Sequence, residues 1–362
     1  MKSFKSIFPF DQTVIAEYAI MSGADIDKAL SASEKIFPVW SGKTFAERAT
    51  VLKNVATLLI ERKEVLGNLI TNEMGKVLKE SIAEVEKCAL GCTYYAENAE
   101  AFLQDEIIKT TYKKSFVAFH PIGAVFAIMP WNFPLWQVFR FAAPTLMAGN
   151  VALLKHAPNV CGCSLAIEKF FKDAGAETGV FQSLIADTDV TQRILQSNIV
   201  QAVSLTGSEK AGSSVAAIAS AQIKKSVLEL GGSDSFIVLA DADIKKAAEV
   251  AVKARMQNAG QSCIAAKRFI VVKEILNDFT EAVKAEIKKL KQGNPFDASV
   301  ATGPLARLDL AEKLHKQVEQ SVAQGAKIIL GGKADGCNYQ PTLLTNVHEG
   351  MPAFDEEIFG PV

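Results

Sequence analysis

VALLKHAPNVCGCSLAIEKFFKDAGAETGVFQSLIADTDVTQRILQSNIVQAVSLTGSEKAGSSVAAIASAQIKKSVLEL, residues 151–230, decides the fold. Four β-rich runs, VALLK, VFQSLI, VQAVSLTG and KKSVLEL, take turns with three helical stretches, CGCSLAIEKFFKDAG, DVTQRILQS and SEKAGSSVAAIASA. A helix between two strands carries the chain back to the edge it started from, so neighbouring strands run the same way. The alternation therefore predicts an α/β fold built on a parallel sheet with helices on both faces.

Outward from this core, the pair Gly231-Gly232 is a candidate hinge, and beyond it the alternation restarts. It runs through SFIVL, a helix from Asp243 to about Ala259, RFIVV, and a helix from Ile275 to about Leu290. On the amino-terminal side, apolar residues at three-and-four spacing predict a helical lead-in from Asp25 to about Leu103. Between lead-in and core, KSFVAFH and GAVFAIM flank the turn Pro121–Gly123 and read as an extended pair or arm. No fixed-period repeat, low-complexity run or charge block interrupts this order.

The chain has 362 residues, a prior of about 2.4 domains at roughly 150 residues each. Hydrophobic residues at 49% and charged ones at 22% fit a soluble globular protein and exclude disorder. Lys plus Arg (39) balance Asp plus Glu (40), which gives no electrostatic case for nucleic acid or an anionic membrane and favours a small-molecule partner. The start, MKSFKSIFPFDQTVI, is broken by Pro9 and Asp11 and lacks a signal-peptide core, so a cytoplasmic location is expected. Six irregularly spaced cysteines then read as thiols. The longest apolar tract, 121–154, contains Pro130, Asn132, Pro134, Arg140, Pro144 and Asn150, a set that a membrane-spanning helix would not carry.

Cys263 lies in QNAGQSCIAAKRFIV, on a loop between a helix and a strand. Its thiolate is a candidate nucleophile for a carbonyl carbon, against the alternative of a buried cysteine used as a small hydrophobe. Cys88 and Cys92, or Cys161 and Cys163, have spacings open to metal, but no histidine pair or second CxxC completes a tetrahedral set. Glu229 ends SVLEL, at the strand end where α/β sheets bind ligands. It is either a general base for water or a structural carboxylate paired with a lysine such as Lys224 or Lys225. The turn LTGSEKAG brings Gly207, Ser208 and Gly212 to a helix start that suits a phosphate, although it is neither GxGxxG nor a P-loop. Lys155 closes VALL and suits a ribose hydroxyl or phosphate, or is simply solvated. Asn132, held between rigid residues in PWNFP, could donate to an oxyanion or cap a turn. Arg140, a lone cation among apolar residues, needs an anion that is either a substrate carboxylate or one of the protein's own.

In order, PWNFP, LLK, LTGS with Gly212, LELGG, NAGQSC and EEIFGPV resemble the motif series of the NAD(P)-dependent aldehyde dehydrogenase superfamily, from about residue 20 to the last residue. PWNFPLWQVFRFAAPTLMAGN, LLKHAPNV and NAGQSCIAAKRFIV look most like bacterial succinate-semialdehyde dehydrogenases. The resemblance implies a Rossmann-like cofactor domain (1–108 and 124–232), a β arm for oligomerisation (109–123) and an α/β catalytic domain (233–362). It implies Cys263 as nucleophile, Glu229 as general base, and Asn132 with the Cys263 N–H as oxyanion donors. NAD or NADP would lie against Pro130, Trp131, Lys155, Gly207, Ser208, Gly212, Leu230, Glu357 and Phe359. Arg140, Trp136 and Ser262 would face the aldehyde, with Arg140 eight residues after Asn132 as in enzymes that hold the carboxylate of succinic semialdehyde. No metal is implied, and the assembly would be a homodimer or homotetramer.

Three departures qualify the resemblance. Pro158 stands where many NAD-preferring relatives carry a carboxylate, three residues after the strand-end lysine, which leaves NADP open. Gln257 stands where some succinate-semialdehyde enzymes have a second arginine, with Arg255 two residues earlier. Relatives also continue past IFGPV, so the catalytic domain is expected to be incomplete. The alternatives are another aliphatic or semialdehyde substrate, transfer of the acyl group to coenzyme A, or a truncated, non-catalytic nucleotide-binding or assembly protein.

Overall fold

A computed structural model describes residues 2–362. By packing they divide into two units, one comprising residues up to 6, 16–69 and 82–230, the other 7–15, 70–81 and 231–362. The boundary falls at Leu230-Gly231, directly before the glycine pair.

The chain opens with a hairpin of β1 (Ser3–Ile7) and β2 (Val14–Ala19), ahead of the expected helical lead-in. Four helices follow, α1 (Gly23–Ser41), α2 (Phe45–Glu61), α3 (Lys63–Met74) and α4 (Leu78–Phe102). The first two start at capping boxes, Ser22 with Asp25 and Thr44 with Glu47, in which side chain and backbone satisfy each other's donors. Short strands β3 (Glu106–Ile107) and β4 (Phe116–Val117) pair antiparallel. Next come β5 (Ala124–Met129), α5 (Trp136–Met147), β6 (Val151–His156), α6 (Cys161–Asp173) and β7 (Phe181–Ser183). Then α7 (Thr188–Gln196), β8 (Val200–Thr206), α8 (Glu209–Ala221) and β9 (Lys225–Glu229) complete the first unit.

Its centre is a five-stranded sheet in the order β7-β6-β5-β8-β9, with every pairing parallel. β6 is buried at all six positions and β5 at five of six, as strands covered on both faces must be. Phe171 stacks between Phe139 and Phe181, with ring centroids 5.6 and 4.6 Å away. GAVFAIM departs from expectation. It does not pair with KSFVAFH but forms the middle strand of the sheet, while Phe116-Val117 pairs back to Glu106-Ile107. A fully buried strand reads as the same apolar run whichever neighbour it takes, and here the neighbours are non-local.

From β5 the chain crosses to β6 on one side, and from β8 to β9 on the other. The crevice beyond the carboxyl ends of these two adjacent strands is therefore the switch point at which α/β sheets take ligands. PWNFP leaves β5 there and LTGS leaves β8.

The second unit holds the parallel pair β10 (Ser235–Val238) and β11 (Arg268–Val271), with α9 (Ile244–Met256) and α10 (Leu276–Ile287). Val238, Ala248, Val252, Phe279 and Val283 form their shared core. α9 starts at the N-cap Asp243, as expected, but ends at Met256, where a 3₁₀ turn takes over. α11 (Leu308–Ala323) follows, then β12 (Lys327–Leu330), β13 (Ala334–Asp335), β14 (Asn338–Tyr339), β15 (Leu343–Thr345) and the short α12 (Pro352–Asp355). β12 pairs antiparallel with β15, and β13 with β14. Residues 7–15 and 70–81, which fall inside the expected cofactor domain, pack instead with this unit. The Leu78 N–H donates to the Pro295 carbonyl at 3.0 Å, and Gln12 Nε2 to Cys337 Sγ at 3.2 Å. No helix among the described residues is long and apolar enough to cross a membrane.

Candidate active site

In the first unit, four sequence-predicted positions stand at the carboxyl ends of the parallel strands: Asn132 after β5, Lys155 one residue before the end of β6, Gly207-Ser208 after β8, and Glu229 closing β9. Ser208 is the N-cap of α8 and accepts from the Ala211 N–H at 3.3 Å, while the Gly207 N–H donates to the Glu229 carbonyl at 3.0 Å. A Cβ on Gly212 would come within 2.6 Å of Leu230 Cδ2, so glycine lets the first turn of α8 lie against the Leu230 side chain without displacing it. Lys155 is buried, and desolvation pushes its ammonium below the ordinary lysine range, opposed by the charge of Asp187.

Arg140 and Trp136 lie on α5. Both the Leu135 and Trp136 N–H groups donate to Glu84 Oε1 at 2.9 Å, so a carboxylate from α4 caps the helix that carries them. Lys87 stands 4.0 Å above the Trp136 ring, which also packs on α4 beside Gly91. Arg140 Nη2 reaches Glu229 Oε2 at 2.8 Å, with the two side chains 35% and 54% exposed. The sequence reading offers Lys224 or Lys225 as structural partner of Glu229, and the structure corrects this. Lys224 Nζ turns away to the Leu195 and Ser197 carbonyls, both at 2.6 Å, while the cation on Glu229 comes from 89 residues earlier.

His156, unremarked in the sequence, holds the Asn132 loop. The Ala157 N–H donates to Nδ1 at 2.9 Å, which leaves the proton on Nε2 to donate to the Pro134 carbonyl at 2.8 Å. With Nδ1 unprotonated, the Met129 carbonyl 3.2 Å away shares no proton with it, so the ring ties down PWNFP at Pro134. Burial pushes its pKa down to about 4. Because the unfolded chain takes up this proton near pH 6.5 and the folded one only near 4, the stabilisation is intact above pH 6.5 and is lost as pH falls through that window. Urea unfolding should show about 3 kcal/mol more loss between pH 7 and pH 4 in the wild type than in His156→Gln, which keeps a donor for Pro134 and has no ring to protonate.

The second unit carries Cys263. All six cysteines are unbridged; Cys88, Cys92, Cys161, Cys163 and Cys337 are buried and Cys263 alone is partly exposed. Burial pushes the Cys92 thiol up to about 12, so it is inert as a nucleophile. Ahead of Cys263, three successive residues take left-handed backbone: Asn258 at φ 53°, Ala259 at 51° and Gly260 at 73°. A Cβ on Gly260 would collide with the Gly360 carbonyl. Two side chains clip this strained run. Glu80 Oε2 accepts from the Asn258 N–H at 2.9 Å, and Gln261 accepts from the Ala306 N–H at 2.9 Å while donating to the Asn258 carbonyl at 3.1 Å. Ser262 is buried in the same loop.

Lys267 ties the nucleophile loop to EEIFGPV. Its ammonium, on a side chain 1% exposed, donates to the Cys263 carbonyl at 2.6 Å and faces Glu357 Oε1 at 3.4 Å. Glu357 Oε1 in turn accepts from the Gly232 N–H at 3.3 Å. Arg255 is fully buried and donates to the Ile358 and Gly360 carbonyls, which fixes the segment bearing Phe359. No group of three or more His, Cys, Asp or Glu among the described residues could hold a metal.

An accessible thiol on a strained helix-to-strand loop, together with a parallel sheet whose strand ends bear Asn, Lys, Gly-Ser and Glu, is matched over residues 1–362 by the model of the aldehyde dehydrogenase family. The chain belongs to that family. Among curated aldehyde dehydrogenases it is similar to a probable succinate-semialdehyde dehydrogenase (NADP+) of Synechocystis, 46% identical over 360 residues, 99% of this chain and 79% of the relative. It is also similar to the succinate semialdehyde dehydrogenase (NAD(P)+) Sad of Escherichia coli, 47% identical over 341 residues, 93% of this chain and 74% of the relative. Among solved structures it resembles the succinic semialdehyde dehydrogenase of Streptococcus pyogenes in complex with NADP+, with a TM-score of 0.97, 32% identity, and coverage of 99% of this chain and 80% of that one.

The first unit of this aldehyde dehydrogenase fits a dinucleotide. Unpaired N–H groups at the start of α8, glycines that let a phosphate approach, and the largely desolvated ammonium of Lys155 are the donor set that a pyrophosphate and ribose require.

Proposed function

We propose that this aldehyde dehydrogenase oxidises succinic semialdehyde to succinate with NADP, and accepts NAD less well. Support for the coenzyme comes from Pro158, which opens a 3₁₀ turn three residues after Lys155 and offers no carboxylate to repel a 2′-phosphate. The names of the relatives agree with it. The observation that carries the substrate choice is the Arg140–Glu229 pair: beside the candidate base, the chain already holds a carboxylate on a guanidinium. We assign the adenosine and pyrophosphate side of the cofactor to the first unit, and the nucleophile, with Glu357 and Phe359, to the second. The β3–β4 arm, with Ile107 73% and Tyr112 79% exposed, suits assembly into a homo-oligomer.

Lys155 would hold the adenosine ribose, the Gly207-Ser208 turn the pyrophosphate side of the dinucleotide, and Glu357 with Phe359 the nicotinamide ribose. When bound, NADP supplies the hydride acceptor. The Cys263 thiolate adds to the aldehyde carbon, and Asn132 Nδ2 with the Cys263 N–H donates to the oxygen as it becomes anionic. Loss of hydride from that carbon leaves a thioester on Sγ. Glu229 removes a proton from water, which attacks the thioester, and the acid departs as the sulfur recovers its electron pair. Water as acyl acceptor distinguishes this cycle from transfer to coenzyme A.

NADPH and NADH formation measured over succinic semialdehyde, glutaric semialdehyde and uncharged aliphatic aldehydes tests the assignment. The four-carbon semialdehyde with NADP should give the highest kcat/KM, without added coenzyme A. Arg140→Gln should raise its KM about tenfold or more, the usual loss for a hydrogen-bonded charge. Equal kcat/KM on uncharged aldehydes would remove the substrate assignment. No reduced coenzyme from any aldehyde would remove the enzyme reading and favour an assembly protein.

A further inference from the structure

The Arg140–Glu229 contact joins two groups with different tasks, one toward the substrate's far carboxylate and one toward the deacylating water. While Glu229 Oε2 sits 2.8 Å from Arg140 Nη2, that oxygen is committed to a cation. The two side chains are also half-exposed, so neither is locked by packing. Only their backbones are fixed: Glu229 is paired to Thr206 in the sheet, and α5 is capped by Glu84. A guanidinium presents a planar fork that suits a free carboxylate in two parallel bonds, a geometry an untethered substrate reaches more readily than a side chain rooted at a strand end.

From this we infer that Arg140 gates the general base: the substrate's carboxylate displaces Glu229 from Arg140, and the displaced Glu229 becomes available for deacylation. The inference rests on the reading of these two residues given above and deepens it. Arg140 becomes a positioning residue for the second half of the cycle as well as a substrate contact for the first. An acyl group that keeps its carboxylate on Arg140 holds the base free for as long as the thioester lasts. An uncharged acyl group leaves Glu229 tied, so selection against uncharged aldehydes falls on hydrolysis of the thioester as well as on binding.

The test separates the first turnover from the steady state, in wild type and Arg140→Gln, with succinic semialdehyde and with butyraldehyde. On butyraldehyde, wild type should give a burst of NADPH followed by a slow steady rate. Arg140→Gln should raise that steady rate by up to about fivefold, the worth of a half-exposed ion pair, and shrink the burst relative to it. A second measurement needs no variant: propionate, a carboxylate without an aldehyde, should accelerate steady butyraldehyde turnover saturably in wild type and not in Arg140→Gln. A higher KM for succinic semialdehyde with no gain on butyraldehyde in the variant would overturn the gate and leave the substrate reading standing. An unchanged KM would overturn both.

Discussion

Cys263→Ala should lower aldehyde oxidation by about 10⁴-fold or more while leaving the fold and nucleotide binding in place. The size follows from what is removed. Without sulfur there is no covalent adduct, and hydride would have to leave an aldehyde hydrate formed without help. The other five thiols cannot substitute, since all are buried and Cys92 is pushed up to about 12. Alanine suits the site because Cys263 is partly exposed and its loop is held through its carbonyl by Lys267 and through Asn258 and Gln261, none of which needs the sulfur. Single-turnover NADPH formation checks the result, with coenzyme binding followed by fluorescence as the control. Appreciable turnover in the variant would end the covalent assignment.

Glu229→Gln should divide the reaction where alanine at Cys263 stops it. The amide keeps the shape of the side chain and can still lie against Arg140, but it accepts no proton from water. NADPH should appear in a burst close to one equivalent per active site and then continue about 10²- to 10⁴-fold more slowly than in wild type, the usual worth of a general base. Acyl-enzyme trapped by acid quench would carry the substrate's mass on Cys263. Normal steady turnover would assign the base to another residue, and loss of the burst as well would place Glu229 in the first half of the cycle.

Much of the first unit was legible because its instructions are local. The strand-helix alternation over 151–230 and the glycine and serine after β8 are read from neighbouring residues, and the sheet follows from crossover geometry. GAVFAIM shows where local reading stops. Its run marks a strand, but its partners Val151–His156 and Val200–Leu205 are chosen by the whole sheet. The site divides in the same way. Cys263, Glu229, Asn132 and Lys155 announce themselves by position at strand ends or on a loop, whereas their supports come from far along the chain: Glu84 under α5, Arg140 on Glu229, and Arg255 on the carbonyls of Ile358 and Gly360. A lone charge in an apolar run shows that a partner must exist without showing which. His156 left a usable signal, an ionisable ring directly after the β-rich run VALLK.

The left-handed run before Cys263 has a consequence for how this enzyme ages. A backbone held at φ near 50° by two side-chain clips stores a cost that the chain sheds as soon as either clip opens. Opening either clip should turn the thiol aside at a lower cost than unfolding the second unit. Gentle warming or dilute urea should therefore silence the catalyst while spectroscopy still reports a native molecule, and returning to mild conditions should restore it.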